Sequence, residues 1–494
     1  MHRPSYTYCK RYRWTLVLLA PVLLLQAACN KWTEVDPPTT SLTSDNVYQN
    51  DATANAVLIG LYGSMSSTNP FNGQTFNSIS VATALSADEL TLQGGASNVN
   101  ANLAAFYLNK LTSGLASTSV QSIWNDTYSK IYIINIALEK LGNSPGLTST
   151  VKQQLTGEAK FMRAFFYFYL VNLYGDVPLA LTSDYRTNSH LARTAKEDVY
   201  KQIIVDLTDA QELLSGNFTG PTGKGASAER IRPSQYAATA LLARSYLYTG
   251  NWAKAEEQAS QVINNSGKFG LDSLNGVFLK NSREAIWQLQ PVNTGWNTEE
   301  ARKYILPPSG PSATSVDGYP VYMSTTLVNA FEPGDQRKAK WVGSVSVPGP
   351  SGNTTYYYPY KYKNAAYNAP VSEYQMVLRL GEQYLVRAEA RAQQDRITEG
   401  KADLDRIRSR AGLNGTDAYD KASLLAAIQR ERQVELFTEW GHRWLDIKRT
   451  NKVDEIMTAV APLKATTWNT NWQWYPIPSY EIAQNSNLGQ NQGY

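Results

Sequence analysis

Two helical stripes joined by a tight turn constrain this chain more than any other feature. Tyr236, Ala240, Ala243 and Leu247 recur at the spacing of one helix face, and Trp252, Ala255, Ala259 and Val262 repeat the pattern directly afterwards. Thr249-Gly250-Asn251 stands between them as a turn. An apolar stripe cannot be shielded by its own helix, so the two must pack on each other and on further helices. A second pair is written the same way, with Leu380, Tyr384, Ala388 and Ala392 on one helix and Leu404, Ile407 and Ala411 on the next. The chain is therefore expected to be mainly α.

Small residues at the helix crossing and a Gly-Asn turn match the tetratricopeptide style of helix pair. Other helices lie upstream. Asp51 is a plausible N-cap for one carrying Val57, Leu58, Leu61, Tyr62 and Met65. Ile123, Trp124, Tyr128, Ile131 and Leu138 mark a second, and residues 151–174 a third. Residues 161–170 of that third helix are apolar nearly all round, which requires burial on most sides. Gly175-Asp176-Val177-Pro178 ends it. Residues 66–100 are polar and rich in Gly and Asn and read as loops. The spacing between pairs is not the strict 34 residues of an uninterrupted array. Residues 265–375 form the interruption, with short β-prone runs at 285–289 and 344–347 and a dense set of Pro, Gly and aromatics. Loop-rich insertions on a rigid scaffold are where binding usually lives. Among those aromatics, Trp287 sits inside a strand-like run and is expected in the core, whereas Trp296 lies in a polar loop.

Several functional classes fall away. The 494 residues carry 46 basic and 42 acidic side chains, a formal net charge of +4, which makes no case for nucleic-acid binding. His2, His190 and His442 are far apart and none has metal-ligand spacing. Neither HExxH nor GxSxG is present. Residues 220–225 lack the first glycine and the Ser/Thr of a phosphate loop and read as a flexible turn. His442, set among Trp, Arg and Asp, reads as a hydrogen-bonded structural residue, and Gln429-Arg430-Glu431-Arg432 as a salt-bridged helix surface. No cofactor or metal is implied. The abundance of aromatics, with 31 Tyr and 12 Trp, supplies many amphipathic rings to place at surfaces.

The N-terminus carries an address. Arg3, Lys10, Arg11 and Arg13 precede an apolar run at 16–25, which is too short to span a bilayer and reads as the core of a signal peptide. Ala27-Ala28-Cys29 follows and resembles a lipobox, with Gln26 where that pattern prefers Leu. Residues 1–28 are then signal peptide, Cys29 carries lipid, and residues 29–44, with Pro37-Pro38, form an extended tether. Cys9 would leave with the signal, so no disulfide is expected.

Several blocks together resemble the SusD/RagB family of outer-membrane nutrient-binding lipoproteins. They include Glu158-Ala159-Lys160-Phe161-Met162-Arg163, Leu173-Tyr174-Gly175-Asp176, Arg232-Pro233-Ser234, and Ala243-Arg244-Ser245 through Trp252. Further along come Leu380-Gly381-Glu382, Arg387-Ala388-Glu389, Glu431-Arg432, Glu435-Leu436-Phe437, Gly441-His442-Arg443-Trp444-Leu445-Asp446 and Tyr475-Pro476-Ile477-Pro478. Most of these read as scaffold, with Arg163 and Trp444 as packing and helix-capping residues. The resemblance implies a SusD-like fold: tetratricopeptide-like pairs within 45–264, a variable ligand-binding insertion at 265–375, and a C-terminal SusD/RagB region at 376–494. It also implies a lipid-anchored, surface-exposed protein of the outer membrane that binds glycan and does no chemistry. Its partner would be a SusC-like TonB-dependent transporter, over which it acts as a lid. Ligand contacts are expected from the early loops (67–107) and the insertion (290–325). The candidates are Trp296 with Asn293 and Asn297, Tyr319 and Tyr322, and from the early loops Asp88, Glu89 and Asn98. A peptide-binding role in the same family is the alternative, and a surface glycosidase is a further one.

Overall fold

The computed structural model describes residues 44–67, 79–114, 118–315 and 318–494. The expected signal peptide, Cys29 and the tether up to residue 43 lie outside them. Contacts divide the chain into a stretch ending at Val47, of which the helix Ser44–Val47 is described, and a unit running from Tyr48 to Tyr494.

Helix α1 spans Asp51–Ser66 and α2 spans Ile79–Ser86. Asn50, not Asp51, caps α1: its side chain accepts the Thr53 amide at 3.0 Å. Asp51 is the first helical residue and instead holds Thr148. The loop reading of 66–100 is corrected within its described part. All eight residues of α2 are buried, and Leu90–Leu92 forms strand β1. The polar look of 79–89 misleads because Ser80, Thr83 and Ser86 are buried with their hydroxyls bonded inside the protein.

The scaffold is a run of helices: α3 (Thr118–Asn143), α4 (Ser149–Tyr174), α5 (Lys196–Leu213), α6 (Gln235–Tyr248) and α7 (Trp252–Ile263). After the insertion come α8 (Leu380–Gln393), α9 (Ile397–Arg410), α10 (Lys421–Glu435) and α11 (His442–Arg449). Each helix from α3 to α9 packs on the next, as stacked pairs must. Helix α4 has every residue from Phe161 to Tyr174 buried. Aromatic residues cost a few tenths of a kcal/mol in helix propensity, whereas burying each such side chain contributes about 1.5–3 kcal/mol, so tertiary packing decides this helix. Gly175 ends it with a φ of 76°.

Helices α7 and α8 pack directly against each other although residues 264–379 lie between them. The insertion therefore leaves and rejoins the scaffold at one place. Its base is closed by β2 (Ala285–Leu289), which pairs antiparallel with β6 (Gln375–Arg379). Trp287 on β2 is fully buried against Phe161, Phe165 and Tyr62, as its strand-like setting suggested. Within the insertion, β3 (Val321–Met323) precedes a hairpin of β4 (Val342–Val347) and β5 (Thr354–Pro359). Short helices also occur there, at Glu299–Tyr304, Thr325–Ala330 and Gln336–Trp341.

The charges in the resemblance blocks are interior fasteners between helices. Arg163 does not cap a helix: it pairs with Asp206 across α4 and α5, at 2.8 Å from both Nε and Nη2. Arg244 grips Glu382 across α6 and α8 at 2.6 and 2.7 Å, and Arg387 grips Asp403 across α8 and α9 at 2.8 and 2.7 Å. The reading of 429–432 as a salt-bridged helix surface keeps its salt bridges but is corrected as to surface at two of its four positions. Glu431 and Arg432 are both 2% exposed, Glu431 on Arg337 and Arg432 on Asp446. A pattern of alternating charge cannot by itself tell a wet face from one whose partners lie on another element. His442 is structural as expected: burial, reinforced by the nearby arginines Arg244 and Arg432, holds its pKa well below the usual value.

Candidate ligand-binding site

The two windows expected to share a ligand site meet in space. Strand β1 of the early region pairs antiparallel with β3 of the insertion, Leu90 opposite Met323, Thr91 opposite Tyr322 and Leu92 opposite Val321. Beyond β1, Val99 N donates to Ala313 O at 3.0 Å and Gln93 N to Pro320 O at 2.8 Å. Gly94 sits in this seam with a φ of 77°, where an added Cβ would lie 2.7 Å from that of Ala313. At a second junction, the end of α1 reaches the start of the loop: Ser66 Oγ donates to Gln290 O at 2.7 Å and Asn293 Nδ2 to Ser67 O at 3.0 Å.

Trp296 lies in the turn that follows, its amide donating to Asn293 O at 3.1 Å. Its half-buried ring is bracketed. Tyr367 stands 5.1 Å away at 53°, and the Arg302 guanidinium lies 4.8 Å from the ring centre. Arg302 is held by Glu299, which also accepts from Asn293 Nδ2 at 2.8 Å. Tyr367 is 61% exposed. Gly295, with a φ of 81°, makes the approach of Tyr367 possible, since a Cβ there would fall 2.5 Å from the tyrosine ring. The result is a pair of tilted aromatic rings with the Arg302 guanidinium over one of them and the Asn293 side chain beside it, a combination of apolar ring and polar groups that can meet both an apolar ring face and its hydroxyl rim.

Tyr322 forms a second aromatic group, edge-on to Tyr356 of the hairpin at 5.0 Å. Its hydroxyl pKa is raised by burial and by Tyr356. Tyr319 is half-buried, its carbonyl accepting from Ser312 N at 3.0 Å.

Four of the expected contacts are placed elsewhere, and these expectations are corrected. Asp88 is 1% exposed and bidentate to Arg443 of α11 at 2.8 and 2.7 Å. Glu89 is 2% exposed and accepts the Thr438 amide at 3.2 Å; burial, with Asp88 beside it, pushes its carboxyl up to about 8. Asn297 is 2% exposed, and its Oδ1 accepts the Ser372 and Glu373 amides at 2.7 and 3.1 Å. Asn98, 6% exposed, bonds Gln93 O and Asn100 N within its own loop. All four are polar residues spent on holding backbone or partner charges, not on a surface. Conversely, Tyr367, Arg302 and Tyr356 were not among the candidates. Loop aromatics and a Gly-Trp turn were visible in the sequence, but which rings meet is decided by chain closure between distant segments.

Among the described residues, no group of three or more His, Cys, Asp and Glu is placed to hold a metal, and no helix is long and apolar enough to cross a membrane.

A stacked-helix scaffold carrying an aromatic loop region sewn to an early loop defines a helical-repeat binding protein. Two family models divide the chain between them. One, described as starch-binding and associating with the outer membrane, matches residues 31–247, and that of the SusD family matches residues 296–494. The chain belongs to the SusD/RagB family. It is 26% identical to SusD-like protein P2 of Formosa agariphila, over 98% of this chain and 100% of that one. The fold matches the crystal structure of a SusD superfamily protein from Bacteroides vulgatus with a TM-score of 0.76, at 20% identity over 90% of this chain and 100% of the other. It also matches a laminarin-binding SusD-like protein with a TM-score of 0.71, at 24% identity over 90% and 100%.

Proposed function

We propose that this protein is a lipid-anchored outer-membrane lipoprotein that captures a neutral glycan and passes it to a SusC-like TonB-dependent transporter, itself doing no chemistry. The observation that carries the reading is the Trp296–Tyr367–Arg302 group, which sits on the insertion where the early region is sewn to it. Sugar rings offer apolar C–H faces to such aromatics and hydroxyls to the amides and guanidinium around them. The name of the laminarin-binding structural neighbour and the starch-binding description of the matching family model support the same ligand class. Asn293, Trp296, Tyr319 and Tyr322 remain the proposed contacts from the original set, joined by Tyr367 and Arg302. Lipidation at Cys29 would hold the domain at the membrane, each acyl methylene contributing about 0.8 kcal/mol.

The test is made in cells. With Trp296→Ala and Tyr367→Ala combined, uptake of fluorescent laminarin or starch should fall while the protein stays in the outer membrane. With Cys29→Ser, the protein should leave the membrane fraction. Undiminished uptake of every polysaccharide that the wild type supports would contradict the site, and retention of Cys29→Ser in the membrane would contradict the anchor.

A further inference from the structure

A cavity lies on the scaffold, away from the insertion. It has a volume of about 720 Å³, within the range of small-ligand sites, and its walls come from α3, the 178–191 segment and the tail at 481–488. Along α3, Trp124, Tyr128 and Tyr132 stand four residues apart and so share one face. Trp124 and Tyr128 form the floor, their rings 4.8 Å apart, with Tyr128 fixed by donating to Pro178 O at 2.8 Å. Tyr132 is 48% exposed and Ile133 37%, unusual for apolar residues on a scaffold helix. Across the cavity Tyr185, 75% exposed, offers a second ring.

The walls are preformed. Asn135 Nδ2 donates to Ala180 O at 3.0 Å and Thr182 O at 3.2 Å, which seats the 178–191 segment on α3. Asn485 Nδ2 donates to Leu191 O and Asn487 Nδ2 to His190 O, both at 2.8 Å, which seats the tail on that segment. Polar groups line the space. Asn188 donates to Thr182 O through Nδ2, and its Oδ1 is buried with no hydrogen-bond partner among the described residues. Asn125, Ser129 and Gln484 add amides and a hydroxyl. Glu481 adds a carboxyl whose pKa burial raises. Among the described residues no lysine or arginine lines the cavity, which disfavours an anionic ligand. Tyrosine faces, amides and an acceptor carboxyl suit an uncharged polyhydroxylated ring.

We infer that the cavity between Tyr132 and Tyr185 is a second site for a neutral sugar residue, separate from the insertion surface around Trp296. The inference rests on the glycan reading above and adds a second point of attachment to it.

The test combines titration and soaked crystals of the protein, using maltoheptaose, laminariheptaose, cellohexaose and xylohexaose as probes, with Tyr132→Ala/Tyr185→Ala and Trp296→Ala alongside. Both tyrosines are solvent-facing, so the double variant should keep its melting temperature. The expected result is sugar density between Tyr132 and Tyr185 and two sites per chain in titration, falling to one in the double variant. Sugar on Trp296 with an empty cavity overturns the second site and leaves the proposed function standing. Density in the cavity with no second site in titration is binding at crystal concentration only and overturns it too. A wild type that binds no probe at either place removes both.

Discussion

Asp88, Glu89, Asn98 and Asn297 were reasonable ligand contacts on residue type alone, because sugars and peptides both ask for such groups. Their burial reverses the inference: a carboxylate or amide inside a protein must be partnered, and these are. Glu89 makes the point testable. Its folded pKa of about 8 lies above the ordinary carboxylate value, so between roughly pH 4.5 and 8 the folded state keeps a proton that the unfolded chain releases. Stability from this group is therefore full at the acidic end and is lost as pH rises through 8. Glu89→Gln should remove that fall, leaving the variant the more stable of the two at pH 8 and close to wild type at pH 5. Denaturation midpoints at the two pH values measure it, and an unchanged pH dependence would contradict the assignment. Trp287 and His442, by contrast, were legible from their neighbours in the sequence, because a strand-like apolar run and a Trp-Arg-Asp setting each specify burial.

At the scale of elements, helices α3, α4 and α6 to α9 were legible because each has an apolar stripe of helical period. Helix α2 was not, since its buried face includes Thr83, bonded back to its own helix, and Ser80 and Ser86, whose partners are far along the chain. The contacts between helices could not be read either: the resemblance blocks read as scaffold, but nothing in the sequence pairs Arg244 with Glu382. Arg244→Met alone should destabilise the protein by about 3–5 kcal/mol, because it strands a buried carboxylate, and Arg244→Met/Glu382→Met should recover most of that. Denaturant midpoints of the single and double variants decide it; a double variant as unstable as the single would contradict the account. In the insertion, the Gly295 turn determines whether Tyr367 can reach Trp296. Gly295→Ala should cost about 1–2 kcal/mol of backbone strain and push the tyrosine ring away. Its expected signature is weakened ligand binding with the melting transition only slightly lowered. Unaltered binding would separate Tyr367 from the site.

For the whole molecule, the architecture follows from one topological fact: α7 and α8 pack together across the insertion, so binding loops can vary while the helical stack stays closed. The mainly α class was present in the hydrophobic periodicity. The pairing of β1 with β3, which brings the early loop to the insertion, was not, because three-residue strands leave no periodic trace. The central claim is that the insertion surface binds neutral glycan through Trp296. Titration of the purified protein against a panel of neutral glycans, with Trp296→Ala in parallel, tests it most directly. The account predicts that one glycan class binds and that the variant is weakened about tenfold or more, a loss of about 1.4 kcal/mol. Binding that survives Trp296→Ala unchanged, or capture of peptides with no glycan bound, would contradict it.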